Sequence, residues 1–135
     1  MPHSQFAKRI LVVEDDALLR QMIMNVLRKD GHEVYEASGG IEGVGVAQII
    51  VPDLILMDIG MPEIDGYQAT LKIKQQASLK DVPVLFVSGK SPAEDGGKSF
   101  AVGGAMYLRK PFSVSQLRNV VNVALGLITA PDAGT

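Results

Sequence analysis

Five positions in this 135-residue chain set a reactive side chain at the end of an apolar run. Ile10-Leu-Val-Val13 runs into Glu14 and Asp15, and Leu54-Ile-Leu-Met57 runs into Asp58, with Gly60 and Pro62 close behind. Val82-Pro-Val-Leu-Phe-Val87 releases Ser88 and Gly89, and Ala105-Met-Tyr-Leu108 leads into Arg109-Lys110-Pro111. Three carboxylates, a hydroxyl and an ammonium are therefore on offer. Gathered in one place, the carboxylates could hold a hard divalent cation, and the ammonium could sit beside an anionic oxygen that the cation does not reach. Kept apart, each has an ordinary job as a cap, a turn residue or half of a surface ion pair.

The choice rests on the elements that carry them. The four apolar runs have the length and continuity of strands buried on both faces. Between the first run and His32, the residues Leu18, Leu19, Met22, Ile23, Val26 and Leu27 recur at helical spacing, with Arg20, Gln21, Asn25 and Arg28 on the other face; Asp16 is placed to cap this helix and Gly31 to end it. His32–Ala37 alternates around Val34 and Tyr35, which predicts a short strand nearer a sheet edge. Ser38–Ile50 has helical spacing through Ile41, Val44 and Ile49, but Gly40, Gly43 and Gly45 predict a weak, mobile helix. These glycines do not form a GxGxxG phosphate loop and do not directly follow a strand. Pro62–Gln76 is predicted as a third helix with Lys72 and Lys74 exposed and Asp65-Gly66 as a cap or turn near its start. Ser91-Pro-Ala-Glu94 is a capping box opening a fourth, Gly-rich and loose helix with Gly96, Gly97, Gly103 and Gly104 within or just beyond it. A second capping box, Ser113-Val-Ser-Gln116, opens a fifth helix whose buried stripe is Leu117, Val120, Val121, Ala124, Leu125 and Ile128. Ser38, Ser91 and Ser113 are accordingly caps, and His3 and His32 lack partners at metal-ligand spacing.

Composition narrows the function. Thirteen basic and fifteen acidic residues give a net charge of -2 and no basic patch, which argues against direct DNA binding. The absence of cysteine excludes a disulfide framework, a thiol nucleophile and a thiolate zinc site. No apolar stretch has membrane-spanning length, and we expect a cytoplasmic protein without membrane contact. Length and the lack of a linker predict one domain over residues 9–128, with a leader at 1–8 and a tail at 129–135.

Strands and helices alternate five times, the pattern of a doubly wound parallel sheet with helices on both faces. Ligands of such sheets bind at the carboxyl ends of the strands, and the five reactive residues all lie there. Two carboxylates about 4 Å apart repel by roughly 4 kcal/mol at an effective dielectric of 20, so three together call for a cation. Mg²⁺ suits the donors: it takes one or two carboxylates and fills its shell with water and phosphate oxygens.

On the motifs Leu-Val-Val-Glu14-Asp15-Asp16, Leu-Met-Asp58-Ile-Gly-Met-Pro62, Asp65-Gly66, Val87-Ser88-Gly89 and Tyr107-Leu-Arg-Lys110-Pro111-Phe112, the chain resembles the receiver domain of bacterial response regulators, in particular the single-domain, chemotaxis-regulator-like kind. The resemblance runs from about Arg9 to Ile128. It implies a flavodoxin-like five-stranded sheet of order 2-1-3-4-5 with five helices. It also implies a phosphoacceptor module of a two-component phosphorelay, which catalyses only its own phosphorylation and dephosphorylation. Asp58 would take the phosphoryl group from a histidine kinase or histidine phosphotransfer protein. Asp15, Asp58 and the Gly60 carbonyl would ligate Mg²⁺, and Glu14 would act through a metal-bound water. Ser88 and Lys110 would hold phosphoryl oxygens, Tyr107 would turn inward behind Ser88, and Lys110-Pro111 would be a cis peptide. A downstream protein would read helix 4, strand 5 and helix 5.

Departures from the family pattern are Ser88 where Thr is commoner, Gly60 and Lys90 at the positions that tune phosphate lifetime, and Gly103-Gly-Ala-Met106 in place of an acidic pair before Tyr107. Met1 and the short tail favour a stand-alone module, with a receiver cut from a hybrid histidine kinase or larger regulator as the close alternative. From another class, the same rim could serve a metal-dependent aspartyl-phosphate phosphatase, although the second acid and substrate cap of such enzymes are not evident.

Overall fold

The computed structural model describes residues 7–91, 94, 98 and 106–127. In order these form β1 (Arg9–Val13), α1 (Ala17–Lys29), β2 (Glu33–Ala37), α2 (Gly40–Ile50), β3 (Leu54–Asp58), α3 (Gly66–Lys74), β4 (Val84–Ser88), β5 (Met106–Arg109) and α4 (Val114–Ala124). The strands make one parallel sheet of order β2-β1-β3-β4-β5. This is the expected flavodoxin-like order, with β2 at an edge. Four helices are present among the described residues. The predicted fourth helix falls largely outside them, although Glu94 and Lys98 are helical; so do the tail and most of the leader.

The continuous apolar runs follow from burial on both faces of the sheet. Leu11, Val13, Ile55, Met57, Val84 and Phe86 point to one side, where α2 and α3 cover them with Ala47, Ala69 and Ile73. Ile10, Val12, Leu54, Leu56 and Leu85 point to the other, against Ile23, Met24 and Leu27 of α1 and Leu117 and Val121 of α4. Alternate residues of one strand thus feed two cores. Each large buried side chain contributes about 1.5–3 kcal/mol, which fixes the strand register tightly, since a one-residue slip would exchange the two faces.

Helix ends are set by polar side chains. Asp16 accepts from the backbone N–H groups of Leu18 and Leu19 to cap α1, Arg28 and Lys29 occupy its last turn, and Gly31 leaves it at φ 92°. Asp65 and Gln68 form a reciprocal capping box on α3, so this helix begins at Gly66 rather than Pro62, and Pro62–Asp65 is loop. Lys74 is also half-buried rather than exposed, because its ammonium donates to the carbonyls of Lys80 and Val82. Ser113 and Gln116 cap α4 in the same reciprocal way, and Ser91 bonds Glu94 as expected. Ser38 is not a cap. Gly39 takes that position, and the Ser38 hydroxyl donates to Glu42 instead.

Glycine also permits close approach. A Cβ at Gly40 would stand 2.6 Å from Ile64, and one at Gly43 would stand 2.9 Å from Val13. These two glycines seat α2 on the sheet and on the loop that follows β3. The tightest case is Gly66, where a Cβ would lie 2.4 Å from the Asp58 carbonyl oxygen, a backbone atom that cannot swing away.

Gly66→Ala is expected to lower the unfolding free energy by about 1–3 kcal/mol through forced displacement of β3 against α3. Gly45→Ala, where a Cβ meets nothing within 4 Å, should raise it by about 0.5–1 kcal/mol. Urea unfolding of dilute protein distinguishes the two. A third expectation concerns His32, which is buried and whose Nδ1 accepts from the Lys8 backbone N–H at 3.1 Å. Burial, reinforced by Lys8 and opposed by Asp30, holds its pKa below the ordinary 6.5. The unfolded chain therefore binds the proton first as pH falls, so stability present above pH 6.5 is lost as pH drops through the folded value. Urea midpoints from pH 7.5 to 5.5 should fall less for His32→Gln than for wild type. Parallel slopes would contradict the assignment.

Candidate functional site

The carboxyl ends of β1, β3, β4 and β5 open on one rim, and one further ladder bond past β1, β3 and β5 places the side chains. Glu14 N–H donates to the Ala37 carbonyl at 3.1 Å, Ile59 N–H to Val87 at 3.2 Å, and Lys110 N–H to Ser88 at 2.7 Å. Asp58 is the last residue of β3 and pairs in register with Val87, one residue before Ser88. The Lys110-Pro111 peptide immediately after β5 is cis. Parallel pairing thus brings residues from across 96 positions of sequence, Glu14 to Lys110, to a common level.

Glu14 and Asp58 are buried, with 2% and 4% relative exposure, while Asp15 is exposed. One oxygen from each of the three carboxylates lies within 4.8 Å of the other two. The Lys110 ammonium donates to Asp58 Oδ1 at 3.0 Å and stands 3.1 Å from Glu14 Oε1. The second contact is an ion pair whose angles leave Glu14 Oε1, a buried oxygen, without a hydrogen-bond donor. Glu14 Oε2 is satisfied by the Asp16 backbone N–H at 3.1 Å.

Burial pushes the Glu14 carboxyl up to about 7, with the Asp58 charge adding to the effect and the Asp16 N–H and Lys110 opposing it. Burial also raises Asp58, against the pull of Lys110. Lys110 is held above its ordinary range: burial works to lower it, and the attraction of the Asp58 and Glu14 carboxylates prevails. One ammonium cannot balance three carboxylates in so small a volume. The orphaned Glu14 oxygen and the all-oxygen donor set fit a hard divalent cation, and Glu14, Asp15 and Asp58 are the residues that can hold it.

Around this core, Ser88 is 6% exposed and its hydroxyl accepts from the Lys90 backbone N–H at 3.1 Å, while the Lys90 side chain is exposed. Gly60 is exposed, with open space where a Cβ would stand. Tyr107 packs against the α2/α3 side of the core with a buried hydroxyl that has no partner among the described residues.

Two contributors were not legible as such. Arg20 looks like one polar residue on the outer face of α1, yet its guanidinium donates to the Glu14 carbonyl at 2.8 Å and to Glu36 at 2.8 Å, fixing the backbone from which Glu14 projects. Its position four residues after the capping Asp16, on the turn nearest the strand end, was the available signal. Gly66 looks like half of a turn motif, whereas its missing Cβ is what lets α3 approach the Asp58 backbone.

Comparison with known proteins agrees with this geometry. The family described as "Response regulator receiver domain" matches residues 10–122. Protein PilG of Pseudomonas aeruginosa is 32% identical over 125 residues, covering 93% of this chain and 93% of its own length. The probable transcriptional regulator ycf29 of Pyropia yezoensis is 34% identical over 84% of this chain, which spans only 51% of that protein. Among solved structures, the receiver domain of the sensor histidine kinase PA1611 of Pseudomonas aeruginosa, described with a magnesium ion in its active site cleft, superimposes with a TM-score of 0.82 at 32% identity, covering 89% of this chain and 98% of that one. With its fold, its acidic rim and a family match over most of its length, the chain belongs to the response regulator receiver domain family, the phosphoacceptor modules of two-component signalling.

Proposed function

We propose that Asp58 is the phosphoacceptor and that the rim around it catalyses only its own phosphorylation and dephosphorylation. The observation that carries this reading is a buried carboxylate held on one oxygen by Lys110, with two further carboxylates within 4.8 Å. Lys110 occupies Oδ1 and so leaves Oδ2 to attack phosphorus. The bond from phosphorus to the donor's imidazole nitrogen breaks, the electron pair leaves with the imidazole, and an acyl phosphate forms on Asp58. Mg²⁺, held by Asp15, Asp58 and the Gly60 carbonyl with Glu14 acting through water, would supply charge neutralisation for the phosphoryl oxygens. Lys110 then moves its proton-rich head from carboxylate to phosphoryl oxygen, and Ser88 turns its hydroxyl proton to another.

That movement is the signal. The phosphoryl group adds up to about two negative charges and three acceptors, which Ser88 and the loop carrying Lys90 must shift to meet. Tyr107, whose buried hydroxyl has no partner among the described residues, would follow. The Tyr67 ring lies 5.3 Å from the Phe86 ring on β4, and the Lys98 ammonium lies 5.9 Å from the Tyr67 centroid, so Lys98 is linked through Tyr67 to the strand that carries Ser88. A downstream protein would read the stretch between β4 and β5 together with β5 and α4. Gly60 leaves water a path to the acyl phosphate while Lys90 can screen it, and together they set its lifetime. The donor would be a histidine kinase or a histidine phosphotransfer protein in the cytoplasm, and the chain's charge balance gives it no DNA contact of its own.

Three outcomes are expected. Mg²⁺ at ten times its Kd should add about 1.4 kcal/mol of stability, visible as a raised Tm, and Asp15→Asn should abolish the shift while remaining folded. Incubation with Mg²⁺ and acetyl phosphate should add one labile phosphoryl group by intact mass in wild type and none in Asp58→Asn. Lys110→Ala should slow that modification by about 10²-fold. An unmodified wild type that still binds Mg²⁺, or equal labelling of Asp58→Asn, would remove Asp58 from the role.

A further inference from the structure

Helix α2 is apolar almost all round: Glu42 is the only charged residue among its eleven. A helix of that composition is normally enclosed. Here only Gly40, Gly43 and Ala47 are buried, and the opposite face carries Ile41 and Ile49, which are 54% and 83% exposed. Gly45 lies midway between them, at i+4 from one and i−4 from the other, so the three form a single outward stripe. Gly40 and Gly43 have reasons inside the chain, since Ile64 and Val13 occupy the space a Cβ would need. Gly45 has none among the described residues, for nothing there lies within 4 Å of that space. A half-exposed helical glycine forfeits about 1 kcal/mol against alanine, and no contact among the described residues accounts for it.

We propose that this face pairs with the same face of a second copy, α2 against α2, antiparallel about a two-fold axis at Gly45. The stripe is symmetric about that point: reversing it brings Ile41 of one copy to the level of Ile49 of the other. A two-fold contact brings its central residue against itself, and glycine allows the closest backbone approach there. Charge at the helix ends selects the antiparallel sense and the like partner. The N-terminal turn carries the Glu42 carboxylate, and the C-terminal end carries the Arg9 guanidinium, which donates to the Ile50 carbonyl at 3.1 Å and pairs with Glu33 at 3.2 Å. At 1.5 Å per residue, antiparallel pairing about Gly45 puts Glu42 of one copy about 3 Å along the axis from Ile50 of the other. Each Glu42 carboxylate thus lies near a guanidinium of the other copy that it would share with Glu33, and the helix dipoles oppose. A single helix pair covers less than the roughly 1,200 Å² of standard interfaces, so the association is weak and appears at high protein concentration.

The chain has no cysteine, so an introduced thiol reports its own neighbourhood. Gly45→Cys under copper–phenanthroline and oxygen should form a disulfide-linked dimer at least tenfold faster than Leu18→Cys, a more exposed control on α1. Sedimentation equilibrium of unmodified wild type should show the average mass rising with concentration. Ile49→Glu, shown folded by circular dichroism, should shift that rise to at least tenfold higher concentration. Equal crosslinking rates for the two thiols, or an Ile49→Glu variant that associates as wild type does, would overturn the proposal and leave the face to a partner of different sequence.

Discussion

The contact on which the rest depends is the one between Lys110 and the carboxylates of Asp58 and Glu14, 3.0 and 3.1 Å away. It exists because a parallel sheet delivers every carboxyl end to the same rim, so that groups far apart in sequence become neighbours without any loop having to reach. It also works against the fold. Two buried acids and a third close by are repulsive when only one ammonium answers them, and burial raises both Glu14 and Asp58 in consequence. Sites arranged for chemistry commonly break local rules in this way. The two apolar layers, packed independently on either face of the sheet, hold the rim in place against that repulsion.

Rigidity and freedom are divided along the same lines. Glu14 is fixed from three sides, by the ladder bond to Ala37, by Arg20 on its carbonyl and by Asp16 on its carboxylate. Asp58 is fixed by the ladder and by the bare face of Gly66. Among the described residues, Ser88 ends its strand with only a neighbouring N–H on its hydroxyl, and Tyr107 has no partner for its own. The anchored residues would receive the phosphoryl group, and the less committed ones would respond to it. That separation is what a switch requires, since a receptor that yielded everywhere would dissipate the change instead of transmitting it.

Much of this was legible in the chain. The four apolar runs announced buried parallel strands because each must satisfy a core on both faces, and the residues at their ends named the rim. Capping boxes at Ser91 and Ser113 worked because side chain and backbone bond locally. What was hidden depended on distant backbone. The start of α3 was misread by four residues because Pro62 is a plausible first helical residue until the Asp65 box is recognised as the true cap. Ser38 was taken for a cap when Gly39 fills that place. Gly40 and Gly43 read as weakness in α2, whereas each accommodates a residue remote in sequence, Ile64 and Val13. Arg20 was invisible for the same reason, as its partner is a carbonyl that only the turn after β1 brings within reach.

The central claim, that the rim exists to carry a phosphoryl group on one particular carboxylate, is tested most directly by locating the acyl phosphate. Protein treated with Mg²⁺ and acetyl phosphate would be reduced with borohydride, which converts an acyl phosphate to an alcohol, and the modified peptide sequenced by mass spectrometry. The account predicts a single homoserine at position 58. Reduction at Glu14, Asp15 or Asp16 instead, or spread among them, would contradict it.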